Sequence, residues 1–264
     1  MSASTILVTH NDQIATITFN RPEKRNALTA AACLELERIA ETFRDQPNTR
    51  VVIVRAAGSD FGVGADLNEA AASVTSRPTL LEQRRAAEQG ARLTRAIEEI
   101  PQPTIAAVHG FATGAATCIA AACDFRFGAA DCRMGYGEVR LGINLMWNAL
   151  PRCVRLIGPA CAKRMIMTGS LIPAEKLHDW GFLDEVVPGN DLDARTCAFA
   201  AELAALPPIA VQMIKRSVDA VSGALDRAIM HMDADQWLVA AQSHDFQEGL
   251  QAFLGKRTPK FTGD

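Results

Sequence analysis

The chain has 264 residues, 48% of them hydrophobic and 22% charged, with a formal net charge of -3. That size and apolar content suit one main domain with an appendage, and they exclude wholesale disorder. A charge so close to neutral gives no general pull toward nucleic acid or anionic lipid.

The opening Met1-Ser2-Ala3-Ser4-Thr5 lacks the basic and apolar regions of a secretory signal, and no apolar run approaches the length of a bilayer span, so a cytoplasmic location away from membranes is expected. Residues 6–9 and 14–19 are rich in β-branched side chains around a His10-Asn11-Asp12-Gln13 turn and predict a hairpin. Pro22 stops any strand. Ala32, Leu36, Ile39 and Phe43 then recur at helical spacing, with Thr29 or Asn26 as the cap. Val51-Val52-Ile53-Val54 reads as a short strand covered on both faces. A turn-rich stretch follows from Gly58 to Leu67, and a long helix fits residues 80–100 until Pro101 and Pro103 end it. Residues 104–108 form a further buried strand, 114–122 an alanine-rich helix and 124–127 another strand. This order is that of βαβ units on a mainly parallel core. From about Leu150 the pattern turns helical, with segments at 159–168, 173–181, 191–206, 208–222 and 224–253, interrupted as a strand only at 184–187. No internal repeat or low-complexity tract occurs.

Two glycine turns carry chemical interest: Gly62-Val63-Gly64-Ala65-Asp66 and Gly110-Phe111-Ala112-Thr113-Gly114-Ala115-Ala116. Small residues opening a helix leave N–H groups reachable at its positive end, which suits an oxyanion; either turn taken alone is more often a plain tight turn. A dinucleotide fingerprint fails at Leu67, where its third glycine should fall. Glu138, between Gly137 and an apolar segment, is placed to be desolvated for acid–base work, or else is an exposed glutamate paired with Arg133 or Arg140. Asp124 reads as a structural ion pair with Arg126. His109 at a strand-to-turn junction reads as a turn residue rather than a base. The histidines show no metal-binding spacing, and the seven cysteines contain no Cys-x-x-Cys pair, so no metal site or disulfide framework is indicated.

In order and spacing, the blocks Asn20 to Leu28, Phe61 to Leu67, Pro103 to Gly110, Cys123-Asp124 and Gly137 to Ile143 resemble the enoyl-CoA hydratase/isomerase (crotonase) family from Ile14 to about Phe261. A sixth block, Met167-Thr168-Gly169 with Gly181 to Pro188, extends the likeness. The resemblance implies an α/β crotonase-like spiral of ββα units over residues 1–190, and a C-terminal helical extension over 191–264 that serves oligomerisation and completes the active site. It implies an acyl-CoA thioester substrate, no separate cofactor because coenzyme A is part of that substrate, no nucleic-acid partner, and a homotrimer or dimer of trimers. The family's oxyanion hole maps to the N–H groups of Ala65 and Ala115. Its CoA contacts map to Lys24, Arg25, Ala27, Asp66 and Leu67, with Phe253, Lys256 and Lys260 reaching across an interface.

The departures bear on the reaction. Family hydratases use two glutamates; the second maps to Glu138, but the position of the first holds Cys118, a thiol that is mostly protonated at neutral pH. Met146 stands where dienoyl-CoA isomerases carry an aspartate, and Gly114-Ala115-Ala116 replaces three glycines. Asn144 and Trp147 fall in the pocket-lining stretch, Trp147 as acyl-pocket wall or as core. A lone Glu138 looks like members that move a double bond from the 3 to the 2 position. Hydration with Glu138 as the only glutamate is the alternative, and a non-catalytic acyl-CoA-binding or RNA-binding relative is the third, the net charge arguing against RNA.

Overall fold

A computed structural model of the protein describes residues 4–69 and 78–264. The hairpin expected at the start is present as β1 (Ile6–Asn11) and β2 (Ile14–Phe19), paired antiparallel with Asp12 at a left-handed φ of 52° in the turn. Helix α1 (Ala30–Thr42) begins at Thr29, whose hydroxyl accepts the Ala32 N–H at 3.1 Å. Asn26, the other candidate cap, is instead buried and donates to the carbonyls of Ala57 and Asp60. Then come β3 (Val51–Ala56), α2 (Leu80–Glu98) with a Thr79/Glu82 capping box, β4 (Thr104–Val108), β5 (Phe111–Thr113), α3 (Ala115–Ala122), β6 (Phe125–Ala129) and β7 (Arg133–Gly135).

The C-terminal half differs from the sequence reading in two places. Helix α4 (Ala149–Thr168) is broken at Gly158, whose φ of 71° and ψ of 164° are not helical; Pro159 opens its second part, the helix expected over 159–168, while the part from Ala149 was not anticipated. After β8 (Ile172–Pro173), α5 (Ala174–Asp179), β9 (Glu185–Val187), α6 (Leu192–Ala204) and α7 (Pro208–Ser222), the single helix expected over 224–253 is three: α8 (Arg227–Met230), α9 (Asp233–Ala241) and α10 (His244–Leu254). The Ser243 hydroxyl caps α10 by accepting the Phe246 N–H, and so starts a new helix where the periodicity runs on.

The main sheet has the order β1-β2-β3-β4-β6-β9 and is parallel beyond the first hairpin. Its central strands β3 and β4 are almost wholly buried, as their unbroken apolar runs require, and α6 packs against β2, β3, β4 and β6. A second sheet, β5-β7-β8, was not legible in the sequence, since strands of two or three residues carry no readable period. This small sheet is what positions the site.

Candidate functional site

The two glycine turns, 50 residues apart at Ala65 and Ala115, lie side by side. Gly62 bridges to Ala112: its N–H donates to the Phe111 carbonyl and its own carbonyl accepts from the Thr113 N–H, both at 3.0 Å. On its other side the turn is tied to Leu28, whose N–H donates to the Gly64 carbonyl and whose carbonyl accepts from the Asp66 N–H, each at 2.8 Å. Gly64 (φ 91°) and Gly114 (φ 53°) both adopt backbone conformations that favour glycine. Space demands it too. A Cβ on Gly64 would sit 3.1 Å from the Thr113 carbonyl oxygen and 3.7 Å from the Ala115 nitrogen, and one on Gly114 would sit 3.1 Å from Glu138 Oε1 and 3.8 Å from the Gly64 Cα. Three segments therefore meet at one point. There the N–H groups of Ala65 and Ala115 have no acceptor among the described residues, and Ala115 is the first residue of α3, where the helix dipole is positive.

Glu138 opens a one-turn 3-10 helix, 138–141, between Gly137 and Gly142. Neither Arg133 nor Arg140 pairs with it; its Oε2 is buried with no partner among the described residues, and burial pushes the carboxyl up to about 7 against a small opposing pull from its own N–H. A carboxyl raised this way by desolvation is ready to exchange protons near neutral pH. Helix α10 holds the turn from behind: a Cβ on Gly249 would lie 2.7 Å from the Leu141 carbonyl, and one on Gly142 2.9 Å from that of Asp245. Cys118, one turn into α3, is buried, and burial first and the Glu138 charge second push its thiol well up, so it stays neutral beside Glu138.

Trp147 and Asn148 adopt left-handed φ values of 64° and 53°. The Trp147 indole lies flat on Gly90 of α2, where a Cβ would come within 2.0 Å of the ring. Its carbonyl accepts from Thr94 Oγ1 at 2.8 Å and from Arg152, which also donates to the Asn148 carbonyl at 3.0 Å. Arg152 is itself buried and closed by a bidentate pair with Glu98 at 2.6 and 3.2 Å. This support, with the Asp233 carboxylate accepting the Asn148 N–H at 2.7 Å, escaped the sequence reading, because nothing in a local pattern marks an arginine in a helix as buried. Asn144 donates weakly to Gln236, and its Oδ1 is left unpartnered among the described residues.

The residues matched to CoA contacts gather in part. Arg21 donates to the Ala27 carbonyl and pairs with Asp66 at 2.8 Å, which draws Ala27 and the loop 65–67 together and lowers the Asp66 carboxyl. Lys24 is exposed, whereas Arg25 is neutralised by Asp60 at 2.8 Å and stacks over Phe111. Phe253, Lys256 and Lys260 lie exposed on the end of α10 and the tail that follows. His109 has the expected turn role, bonding the Gly58 carbonyl at 3.0 Å. Asp124 is structural, but its partners are Lys215 and Thr104 rather than Arg126, which pairs with Asp184. Among the described residues no three His, Cys, Asp or Glu side chains come together to hold a metal ion.

Residues 9–264 match the family model for enoyl-CoA hydratase/isomerase. The chain is 30% identical to a crotonyl-CoA hydratase from Syntrophomonas wolfei over 99% of both chains. It is 32% identical to an enoyl-CoA isomerase/hydratase from Mycosarcoma maydis over the full length of each. The crystal structure of an enoyl-CoA hydratase from Mycobacterium avium subsp. paratuberculosis superposes with a TM-score of 0.88 at 26% identity, covering 99% of this chain and 100% of that one.

Proposed function

This chain belongs to the enoyl-CoA hydratase/isomerase family, and from that premise we propose that it isomerises 3-enoyl-CoA to 2-enoyl-CoA with Glu138 as the single acid–base group. The observation that carries this reading is the Glu138 carboxyl, raised to about 7 and set against the two glycine turns, with a neutral thiol where a second acid would stand. The Glu138 carboxylate takes a proton from C2 of the 3-enoyl thioester, and the electron pair passes into the thioester oxygen. The free N–H groups of Ala65 and Ala115 stabilise that oxygen as its charge grows; losing one such donor typically costs about 10²–10³ in rate. Glu138, now protonated, returns the proton at C4, and the double bond comes to rest between C2 and C3. Coenzyme A enters and leaves as part of the substrate, with Lys24 and the 65–67 loop as its nearest contacts.

A second reading, hydration of 2-enoyl-CoA, is favoured by the name of the Syntrophomonas relative and by the unpartnered Asn144 Oδ1, an acceptor able to hold water. Incubating the purified protein with 3-enoyl-CoA and with 2-enoyl-CoA separates the two. Isomer formation without 3-hydroxyacyl product supports the first; rapid hydration without isomerisation overturns it.

Helix α7 buries none of its residues and exposes Ile209, Met213, Ile214, Val218 and Val221, an apolar stripe that fits association of copies into the trimer or dimer of trimers implied by the family likeness. Analytical ultracentrifugation tests this, and a monomer at micromolar concentration overturns it.

A further inference from the structure

Tyr136 is the only tyrosine in a chain that contains 11 phenylalanines. Its ring is packed at 1% exposure, and its hydroxyl is buried with no hydrogen-bond partner among the described residues. A phenylalanine would fill the ring-shaped space without stranding a polar group, so the hydroxyl lowers stability in the empty protein.

The surroundings of the ring belong to the reaction centre. Tyr136 stands two residues before Glu138, just after β7, and its neighbours include Cys118 and Cys153, whose thiols are poor hydrogen-bond partners. Burial, with the nearby Cys153, Cys118 and Glu138, holds the phenol well above its ordinary range, so it keeps its proton and can offer it. Three more buried, unpartnered oxygens fall in the same short stretch: Glu138 Oε2, Asn144 Oδ1 and Asn148 Oδ1. The other such oxygens, on Glu37, Gln102 and Thr196, are scattered along the chain.

We propose that Tyr136 is a specificity-determining residue whose hydroxyl donates to an oxygen carried on the acyl chain, so that the pocket prefers hydroxylated acyl-CoA thioesters to unsubstituted ones. The inference rests on the acyl-CoA reading above but not on which reaction Glu138 performs, since it concerns binding.

Calorimetry with three thioesters, butyryl-CoA, 3-hydroxybutyryl-CoA and 4-hydroxybutyryl-CoA, tests it on the full chain and on Tyr136→Phe. At least one hydroxylated ligand should bind the unaltered protein about tenfold more tightly than butyryl-CoA, the size of one hydrogen bond to a group otherwise left unmet. That preference should fall to within about twofold in Tyr136→Phe. As a readout that needs no variant, tyrosine labelled with 13C at Cζ gives one resonance, and it should move with the preferred hydroxylated ligand and stay put with butyryl-CoA. Equal binding of all three thioesters by the unaltered protein, or a preference that survives in Tyr136→Phe, overturns the proposal. If no CoA thioester binds at all, it is the acyl-CoA reading that fails; if butyryl-CoA binds and no preference is seen, only the role of Tyr136 falls.

Discussion

Glu138→Gln separates the cost of holding the base from its use. The fold raises the Glu138 carboxyl from an ordinary 4.5 to about 7, chiefly by burial, so the folded chain binds this proton more tightly than the unfolded chain does. Below about pH 4.5 the residue is protonated in both states and costs nothing. As pH rises from there through 7 the folded state must lose a proton it favours, and by pH 8 the full difference, roughly 3 kcal/mol, is subtracted from stability. Glutamine has nearly the same shape and no charge to desolvate, so the variant should match the unaltered protein near pH 4.5 and exceed it at pH 8. For a chain of this length roughly 3 kcal/mol corresponds to a rise of about 5 °C in melting temperature. Scanning calorimetry of both proteins at pH 4.5 and 8, at one protein concentration, measures the two differences, and turnover in the variant should be lost. A melting difference that is the same at both pH values, or is larger at the lower one, would mean that Glu138 is not desolvated and would remove the physical basis of its role as a base.

With an unsubstituted 3-enoyl-CoA, kcat/KM should climb about tenfold per pH unit below 7 and level off above it, since only the ionised Glu138 abstracts a proton; a profile flat from pH 5 to 8 would contradict this. Replacing Gly90 by alanine should drive a methyl into the Trp147 ring, costing about 1–3 kcal/mol in urea unfolding and slowing turnover, whereas a neutral result would show that the indole shifts freely. Arg152→Met should destabilise the fold by about 3 kcal/mol, because Glu98 and the carbonyls of Trp147 and Asn148 lose a buried donor at once; unfolding titrations read this directly. Under brief iodoacetamide treatment, mass spectrometry should find label on exposed Cys197 and none on Cys118, whose thiol is buried and held neutral, and prompt labelling of Cys118 would contradict that environment.

The elements with strong periodicity were legible in the sequence. The hairpin of β1 and β2, the apolar runs of β3 and β4, and the helical spacing of α1 follow from rules that act within a few residues. The glycines at 64 and 114 likewise marked the turns of the site, since few other residues accept their backbone angles. Membership of the family was also visible, because ordered motifs survive in the chain as a line of letters. What the line does not contain is distance. The convergence of residues 65, 115 and 138 depends on the bridges Leu28–Ala65 and Gly62–Ala112 and on strands too short to carry a period. Whether Glu138 is an ordinary surface carboxylate or one raised to about 7 is likewise set by which distant segments exclude water from it, α10 among them. The same holds for Arg152, Trp147 and Tyr136. Burial is a property of packed surfaces, and the electrostatic work of stranding or pairing a polar group is fixed only when chain segments many residues apart come into contact.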